Sequence, residues 1–166
     1  MPVIVITTII DAERERVFDL SLSIDAHVAS ASRTNETAVD GKISGLIGMG
    51  EEVTWQARHF GVTQRLRIRI TDFQRPSMFT DEMVFGAFQS MRHVHQFIDK
   101  NGKTEVTDEF RFRAPFGILG RIAEKVFLTR YMRSFLVERN RILKELAESD
   151  GWEEFLGEGT GDVGVD

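Results

Sequence analysis

Two histidines stand two residues apart in the segment Phe88–Ile98, and this spacing is the clearest chemical pattern in the chain. If the segment is an extended strand, alternate side chains share a face, so His93 and His95 point the same way. The same face also carries two apolar residues, Met91 and Phe97. The pattern therefore predicts two imidazoles side by side in apolar surroundings.

Two aspartates and a third histidine are expected near this pair. Asp81 and Asp108 lie in the neighbouring strand-like segments at positions that face the same side, and His59 could join from further away. Buried imidazoles and carboxylates need hydrogen-bond partners, and here each group offers one to the other. The favoured interpretation is a structural or ligand-orienting network.

Two kinds of chemistry are the alternatives. A His–Asp pair in an apolar cavity can act as a general acid and base, because the carboxylate fixes the imidazole tautomer and burial moves both pKa values. The candidate catalytic residues are His93, His95 and Asp108, and the chemistry would suit enolisation, aldol cyclisation or dehydration. Imidazoles with a carboxylate can also bind a metal ion, but the favoured interpretation predicts no metal and no cofactor.

Composition is typical of a single globular domain. The chain has 166 residues, of which 42% are hydrophobic and 28% charged. The absence of cysteine excludes disulfides and thiolate sites, and it fits a cytoplasmic location. A net charge of −5 and a pI near 5.4 argue against nucleic acid as a partner. The apolar start of the chain lacks a basic leader and is too short to span a bilayer, so no integral membrane segment is expected.

The elements that must position the histidines follow a simple order. Val3–Ile10 is rich in β-branched residues and predicts a strand, and one or two short helices follow, the second starting near Ile24. Asn101-Gly102 marks a tight hairpin between two of the later strands. Strand-like alternation occupies residues 51–60, 62–73, 79–85, 88–98 and 104–113.

Apolar residues at helical spacing from Pro115 to about Leu146 predict one long terminal helix of roughly 30 residues. Its apolar stripe, which includes Leu119 and Phe127, should cover the apolar face of the strands. The expected class is α+β, with one curved antiparallel sheet of about six or seven strands wrapped on this helix and a pocket between them. Residues 1–150 form the domain, and the acidic, glycine-rich residues 151–166 are predicted to be mostly disordered.

Two basic runs are predicted to be solvated rather than functional. Arg65, Arg67 and Arg69 alternate with apolar residues, so they should lie on the outer sheet face and pair with glutamates on other strands. Those glutamates are Glu82, Glu105 and Glu109. The second run is expected on the wet side of the long helix and comprises Arg130, Arg133, Arg139, Arg141 and Lys144.

The motifs along the strands resemble those of a known superfamily. They run Asp81…Phe85-Gly86…Phe88, His93-x-His95-x-Phe97, Gly102…Thr104-x-Val106-x-Asp108 and Pro115-x-Gly117. This order, over most of residues 1–147, resembles the START and polyketide cyclase/dehydrase superfamily (the SRPBCC group), in particular a bacterial subfamily of short ligand-binding-like proteins. The resemblance implies the helix-grip fold. Superfamily members bind lipids, hormones and polyketides, and some catalyse cyclisation or dehydration.

Three functions are compatible with these patterns. The first is a carrier or sensor for a hydrophobic small molecule such as a lipid or polyketide-like aromatic, since thirteen phenylalanines against one tyrosine favour an apolar guest. The second is a cyclase or dehydratase that uses the same cavity, and the third is a protein-interaction module with a filled cavity. Whether there is a reaction, and the oligomeric state, stay open. The predicted ligand-binding residues are Trp55, His59, Asp81, Phe85, Met91, His93, His95, Phe97, Asp108, Phe110, Leu119 and Phe127.

Overall fold

One seven-stranded antiparallel sheet organises the computed structural model, which describes residues 1–31 and 34–157. The strands lie in the order β1-β7-β6-β5-β4-β3-β2, so β1 and β2 form the two edges. The strands are β1 Val3–Ile10, β2 Thr37–Gly41, β3 Glu52–His59, β4 Val62–Gln74, β5 Met78–Gly86, β6 Ser90–Lys100 and β7 Lys103–Arg113.

Short helices follow β1 and a long helical segment follows β7. The helices are α1 Arg14–Leu22, α2 Ile24–Ser30, α3 Gly117–Ala123, a π-helical turn Glu124–Leu128, α4 Thr129–Glu148, a 3-10 turn Asp150–Trp152 and α5 Glu153–Leu156. This arrangement confirms the predicted α+β class with a long C-terminal helix. None of the helices in the described part of the chain is both long enough and apolar enough to cross a bilayer.

Strands β6 and β7 show why the histidine pair faces inward. The tight hairpin at Asn101-Gly102 sets a register in which His93 lies opposite Phe110 and His95 opposite Asp108. Alternate residues on this face are buried and the intervening ones are more exposed, as strand geometry requires. The predicted alternation of both strands is therefore present in the structure.

The first half of the long helical segment does not cover the sheet as the sequence predicted. Its buried side is formed by Gly120 and Glu124. A Cβ atom at Gly120 would lie 2.0 Å from the carbonyl oxygen of Pro115, so only glycine permits this close approach. The Glu124 carboxylate accepts a hydrogen bond from the backbone N–H of Ala114. Because these two residues occupy the buried side, the apolar residues around them stay exposed, and within this helical segment it is α4 that packs on the sheet.

Helix α4 packs along β1 and also bonds to the outer edge of that strand. Lys144 Nζ donates a hydrogen bond to the carbonyl of Ile9 at 2.6 Å, and Arg133 Nη1 donates one to the carbonyl of Val5 at 3.3 Å. At the end of the strand the N–H of Asp11 donates to Glu148 Oε1 at 2.8 Å. The helix therefore occupies backbone groups that an edge strand would otherwise leave open.

The chain beyond residue 150 differs in part from the predicted disordered tail. Residues 150–156 form two short helical turns. Trp152, Phe155 and Leu156 are partly buried against the hydrophobic core, and the Arg16 guanidinium lies 4.3 Å from the centre of the Trp152 ring. Residues 158–166, the remainder of that predicted tail, lie outside the described residues.

The outer sheet face carries the arginines of β4, but with a different partner from those predicted. Arg67 and Arg69 both bind Glu52 on β3, the neighbouring strand. Glu82 lies near Arg92 instead, with 3.4 Å between Nε and Oε1. Strand order excludes Glu105 and Glu109 as partners, because β4 lies between β3 and β5 and never meets β7. Glu82 on β5 does lie opposite Arg69, but Arg69 binds Glu52 on the other side.

Candidate functional site

A cavity of about 550 Å³ lies between the concave sheet face and the helices. Its walls are mainly apolar and aromatic, and they are contributed by β3, β4, β6, β7 and the long helical segment. Apolar lining residues include Trp55, Ile68, Phe88, Met91, Phe110 and Leu136. Polar lining residues include His27, Glu36, His59, Asp81, His93 and Arg139.

Most of the predicted ligand-binding residues line this cavity, and four do not. Those on the wall are Trp55, His59, Asp81, Met91, His93, Phe110, Leu119 and Phe127. The sequence placed Phe85, His95, Phe97 and Asp108 there as well. His95 and Asp108 are buried behind His93, whereas Phe97 belongs to the core, where its ring centre lies 5.1 Å from that of Phe18.

Phe85 is misplaced in the prediction because the pairing of β4 with β5 contains a β-bulge. Ile68 pairs with Met83 while the adjacent Arg67 pairs with Phe85, so Val84 is the extra residue. One extra residue reverses the inward and outward alternation of a strand. Phe85 consequently shares the outer face with Arg67 and is half exposed.

The predicted histidines and aspartates form one buried network, which we call the aspartate cluster. Asp108 Oδ1 lies 3.1 Å from His93 Nε2 and 2.7 Å from His95 Nδ1. Asp108 Oδ2 accepts a hydrogen bond from the side-chain amide of Asn140 on α4. His95 Nε2 lies 3.0 Å from Asp81 Oδ2, so His95 has a carboxylate at each ring nitrogen.

The two histidines of this cluster differ in basicity. Burial alone would lower the pKa of His95, but its contacts with Asp108 and Asp81 outweigh that effect and raise the pKa. Burial and the neighbouring His95 lower the pKa of His93, although Asp108 opposes this. His95, held between two carboxylates, is therefore the more basic of the two imidazoles, and His93 favours the neutral form.

Proton positions in the cluster follow from the state of Asp108. Burial tends to raise its pKa, but hydrogen bonds from His93 and His95 hold the pKa well below the usual range. An ionised carboxylate only accepts hydrogen bonds, so Nε2 of neutral His93 carries the proton. Nδ1 of His93 is left as an acceptor on a residue of the cavity wall.

A metal ion fits this cluster less well than the hydrogen bonds do. Asp81, His93 and His95 each offer one ligand atom, and these atoms lie within 4.8 Å of one another. However, a metal ligand must be deprotonated, and both ring nitrogens of His95 face carboxylates. Metal binding would therefore require His95 to give up at least one of these bonds.

A second polar group, which sequence reasoning missed, consists of His27, Glu36 and Arg139, and we call it the arginine cluster. His27 Nε2 bonds to Glu36 Oε1, and the His27 ring stacks on Trp55 with 4.0 Å between ring centres. Burial and the charge of Arg139 lower the pKa of His27, although Glu36 opposes this. His27 is thus a neutral donor to the Glu36 carboxylate.

Arg139 was predicted on the wet side of the long helix, and the structure places it on the cavity wall. Among the residues that the structure describes, it makes no hydrogen bond or ion pair, although its charge acts on His27, Glu36 and Asp81. Its spacing was a usable signal, because it follows the buried Leu136 by three residues. His27 likewise follows the buried Ile24 by three, on a helix that Ser23 caps.

The outer part of the cavity is aromatic. His59 Nδ1 lies 2.7 Å from the hydroxyl oxygen of Tyr131 on α4. Phe60, at the tip of the β3–β4 hairpin, lies with its ring centre 4.5 Å from that of Tyr131 and 5.7 Å from that of Phe127. The hairpin tip and the helical segment thus meet beside the opening.

No protein-family model and no curated protein sequence matches the chain. Among solved structures, TTHA0849 from Thermus thermophilus aligns with a TM-score of 0.71 at 16% identity, over 87% of this chain and 95% of that one. Major latex-like protein 151 from Panax ginseng aligns with a TM-score of 0.65 at 17% identity, over 89% and 98%. Protein Ms6760 from Mycobacterium smegmatis gives 0.66 and 17%, over 87% and 89%.

The chain has the helix-grip fold. The expectation that the sequence motifs raised is thereby confirmed for the architecture. At these identities the likeness concerns the fold, so the function has to be argued from the cavity itself.

Proposed function

We propose that this helix-grip protein is a cytoplasmic carrier or sensor that binds a hydrophobic small molecule, such as a lipid or polyketide-like aromatic. The observation that carries the proposal is the cavity of about 550 Å³, with mainly apolar walls and a few convergent polar groups. Small-molecule sites commonly have this character and a volume of about 300–1,000 Å³. An open interior of this size argues against the third candidate, a module filled by its own side chains.

The polar groups favour an amphipathic guest with a defined orientation. Arg139 supplies donors, while His93 Nδ1 and the Glu36 carboxylate supply acceptors. The opposite, outer part is lined by Phe60, Phe127 and other apolar side chains. A polar head would therefore bind inside and an apolar body would extend towards the opening.

A cyclase or dehydratase is the second candidate, and the state of His93 favours it. A neutral imidazole with its Nε2–H directed at Asp108 leaves Nδ1 able to take a proton from a guest. In such a reaction His93 would be the base and Asp108 a positioning residue. His95 would not serve as the base, since its two ring nitrogens both face carboxylates.

Native mass spectrometry of the protein purified from its own host tests the proposal, with identification of any molecule that is released. A bound apolar compound supports it. Incubation of that compound with the protein then separates the candidates, because turnover that is lost in His93→Gln supports the enzyme. Binding without turnover supports the carrier.

Cavity-filling variants provide the matching test in vitro. Ala57 and Ala87 both line the cavity, so Ala57→Phe and Ala87→Phe should each weaken binding of an apolar fluorescent dye. Val84→Phe adds the same ring at an exposed position and should leave binding unchanged. Thermal unfolding confirms that each variant is folded. Unchanged dye binding in both folded alanine variants would contradict a guest in this cavity.

A further inference from the structure

The first half of the long helical segment carries an exposed apolar surface at the cavity opening. Phe116 is 83% exposed, Leu119 74% and Val126 72%, which are high values for large apolar side chains. The same surface includes Ile118, Ile122 and Phe127. We call these six residues the apolar ridge. Nothing in the proposed ligand-binding function requires all of them to face solvent.

The ridge lies along one side of the cavity opening. Ile118, Ile122 and Val126 are spaced four residues apart, so they form one row on the helical surface. Leu119 and Phe127 belong to the adjacent row and line the cavity. Gly120 and Glu124 occupy the opposite, buried side. The apolar surface is therefore continuous from the exterior into the cavity.

The charge around the ridge differs in sign from that of the protein as a whole. The chain has a net charge of −5. Between residues 112 and 132 the basic residues are Arg113, Arg121, Lys125 and Arg130, and the acidic residue is Glu124. Glu124 is buried and bonded to the backbone of Ala114.

The basic residues around the ridge are also unpaired. Among the described residues none of these four forms an ion pair. By contrast, Arg67, Arg69 and Arg141 on other surfaces all contact carboxylates. The ridge is thus a local cationic region on an anionic protein.

We propose that the apolar ridge docks on an anionic lipid bilayer. Large apolar side chains interleaved with lysine and arginine are the combination that binds such an interface, since the apolar groups enter the headgroup boundary and the cations meet anionic lipids. A second copy of the chain fits less well, because twofold pairing of the ridge would bring Arg121 and Lys125 towards their own symmetry mates.

Docking in this orientation would turn the cavity opening towards the bilayer. An apolar guest could then move between membrane and cavity along Leu119 and Phe127 without crossing water. This goes beyond ligand binding, and the two proposals can fail separately, since Ile118 and Val126 do not line the cavity.

Sedimentation of the full chain with phospholipid vesicles tests the docking. We expect binding to phosphatidylcholine vesicles that contain about 30% phosphatidylglycerol, weaker binding at high salt and little on phosphatidylcholine alone. Ile118→Gln with Val126→Gln should lower the partition coefficient by about tenfold. Arg121→Ser with Lys125→Ser should lower it on the order of tenfold.

Matched variants elsewhere on the surface are the controls. Val3→Gln with Met49→Gln removes two exposed apolar side chains, and Arg92→Ser with Lys100→Ser removes two exposed charges. Both pairs should bind vesicles as the wild type does. Three results would overturn the proposal: no binding of the wild type, equal binding to neutral and anionic vesicles, or ridge variants that bind unchanged. Light scattering that shows a dimer lost only in Ile118→Gln with Val126→Gln would assign the ridge to a second copy instead.

Discussion

The aspartate cluster and the arginine cluster lie against the same cavity and use similar side chains, but they are bonded to different degrees. In the aspartate cluster, Asp108 has three side-chain donors and His95 has a carboxylate at each nitrogen. In the arginine cluster, the guanidinium of Arg139 has no bonded partner within the described residues. Buried polar groups that are saturated stabilise a fold, whereas a cavity-lining charge without a bonded partner is available to a guest. If the protein binds a guest as proposed, the aspartate cluster would chiefly stabilise the fold and the arginine cluster would chiefly contact the guest.

The largest expected effect is on stability and comes from Asp108. Asp108→Asn removes the buried carboxylate charge that both His93 and His95 contact. We expect the free energy of unfolding to fall by about 3–5 kcal/mol, measured by urea denaturation. Glu154→Gln, at an exposed position in α5, is the control and should change it by less than about 0.5 kcal/mol. A loss below about 1 kcal/mol in Asp108→Asn would remove the distinction between the clusters.

Arg139→Leu should affect binding more than stability. Loss of the guanidinium removes the donors for a polar or anionic head, so affinity for the anionic dye 1-anilinonaphthalene-8-sulfonate should fall by about tenfold. Fluorescence titration measures this. Arg130→Leu, an exposed change on the same helix, should leave affinity unchanged. Equal effects of the two variants would mean that Arg139 does not meet the guest.

The histidines of the two clusters should titrate at different pH values. His95, whose pKa is raised, should stay protonated to a higher pH than His93 and His27, whose pKa values are lowered. NMR spectra of the ring nitrogens and carbons report each state. A His95 that loses its proton at a lower pH than His93 would contradict the assigned network.

The same titration has a consequence for stability. A group whose pKa is raised by folding contributes stability that is present below its unfolded pKa of about 6.5 and is lost as pH rises through the folded value. The stability difference between wild type and His95→Gln should therefore shrink as pH rises above about 6.5. Asp108 should affect the free energy of unfolding at acidic pH instead. Because its pKa is lowered by folding, its stabilising contribution should be lost as pH falls below about 4.

The smallest expected effect is that of Glu36→Gln. The change removes one negative charge near Arg139 but keeps an oxygen that can accept the bond from His27. Affinity for the anionic dye should rise by about two- to threefold, since the repulsion is screened by the partly polar cavity. Dye titration beside the Glu154→Gln control measures it. Weaker binding in Glu36→Gln would show that Glu36 itself contacts the guest.

Local patterns predicted the aspartate cluster well. Alternation along Phe88–Ile98 and the Asn101-Gly102 hairpin together determine that His95 lies opposite Asp108, because a hairpin turn sets the register of both strands. Asp81 was predicted from alternation alone, and the pairing of β5 with β6 places it opposite His93. The arginine cluster brings together α2, the segment before β2 and α4, and no local pattern records that three distant elements converge.

The sequence-based prediction misplaced Phe85 and the residues of the apolar ridge, and both errors have specific physical causes. The bulge at Val84 turned Phe85 outward, and an extra residue in one strand does not alter the local apolar pattern that suggested a continuous strand. The ridge was expected to cover the sheet because apolar residues at helical spacing usually face a core. The close contact of Gly120 with Pro115 and the buried Glu124 instead determine which side of that helix faces inward.

The bonds from α4 to β1 also bear on how the protein behaves at high concentration. An edge strand with open carbonyl and N–H groups invites a strand from another molecule to extend the sheet, which is a common route to aggregation. Here Lys144, Arg133 and Glu148 bond to those groups along β1. The helix that packs beside the cavity therefore also blocks part of this edge against intermolecular strand addition, next to the exposed Val3 and Val5.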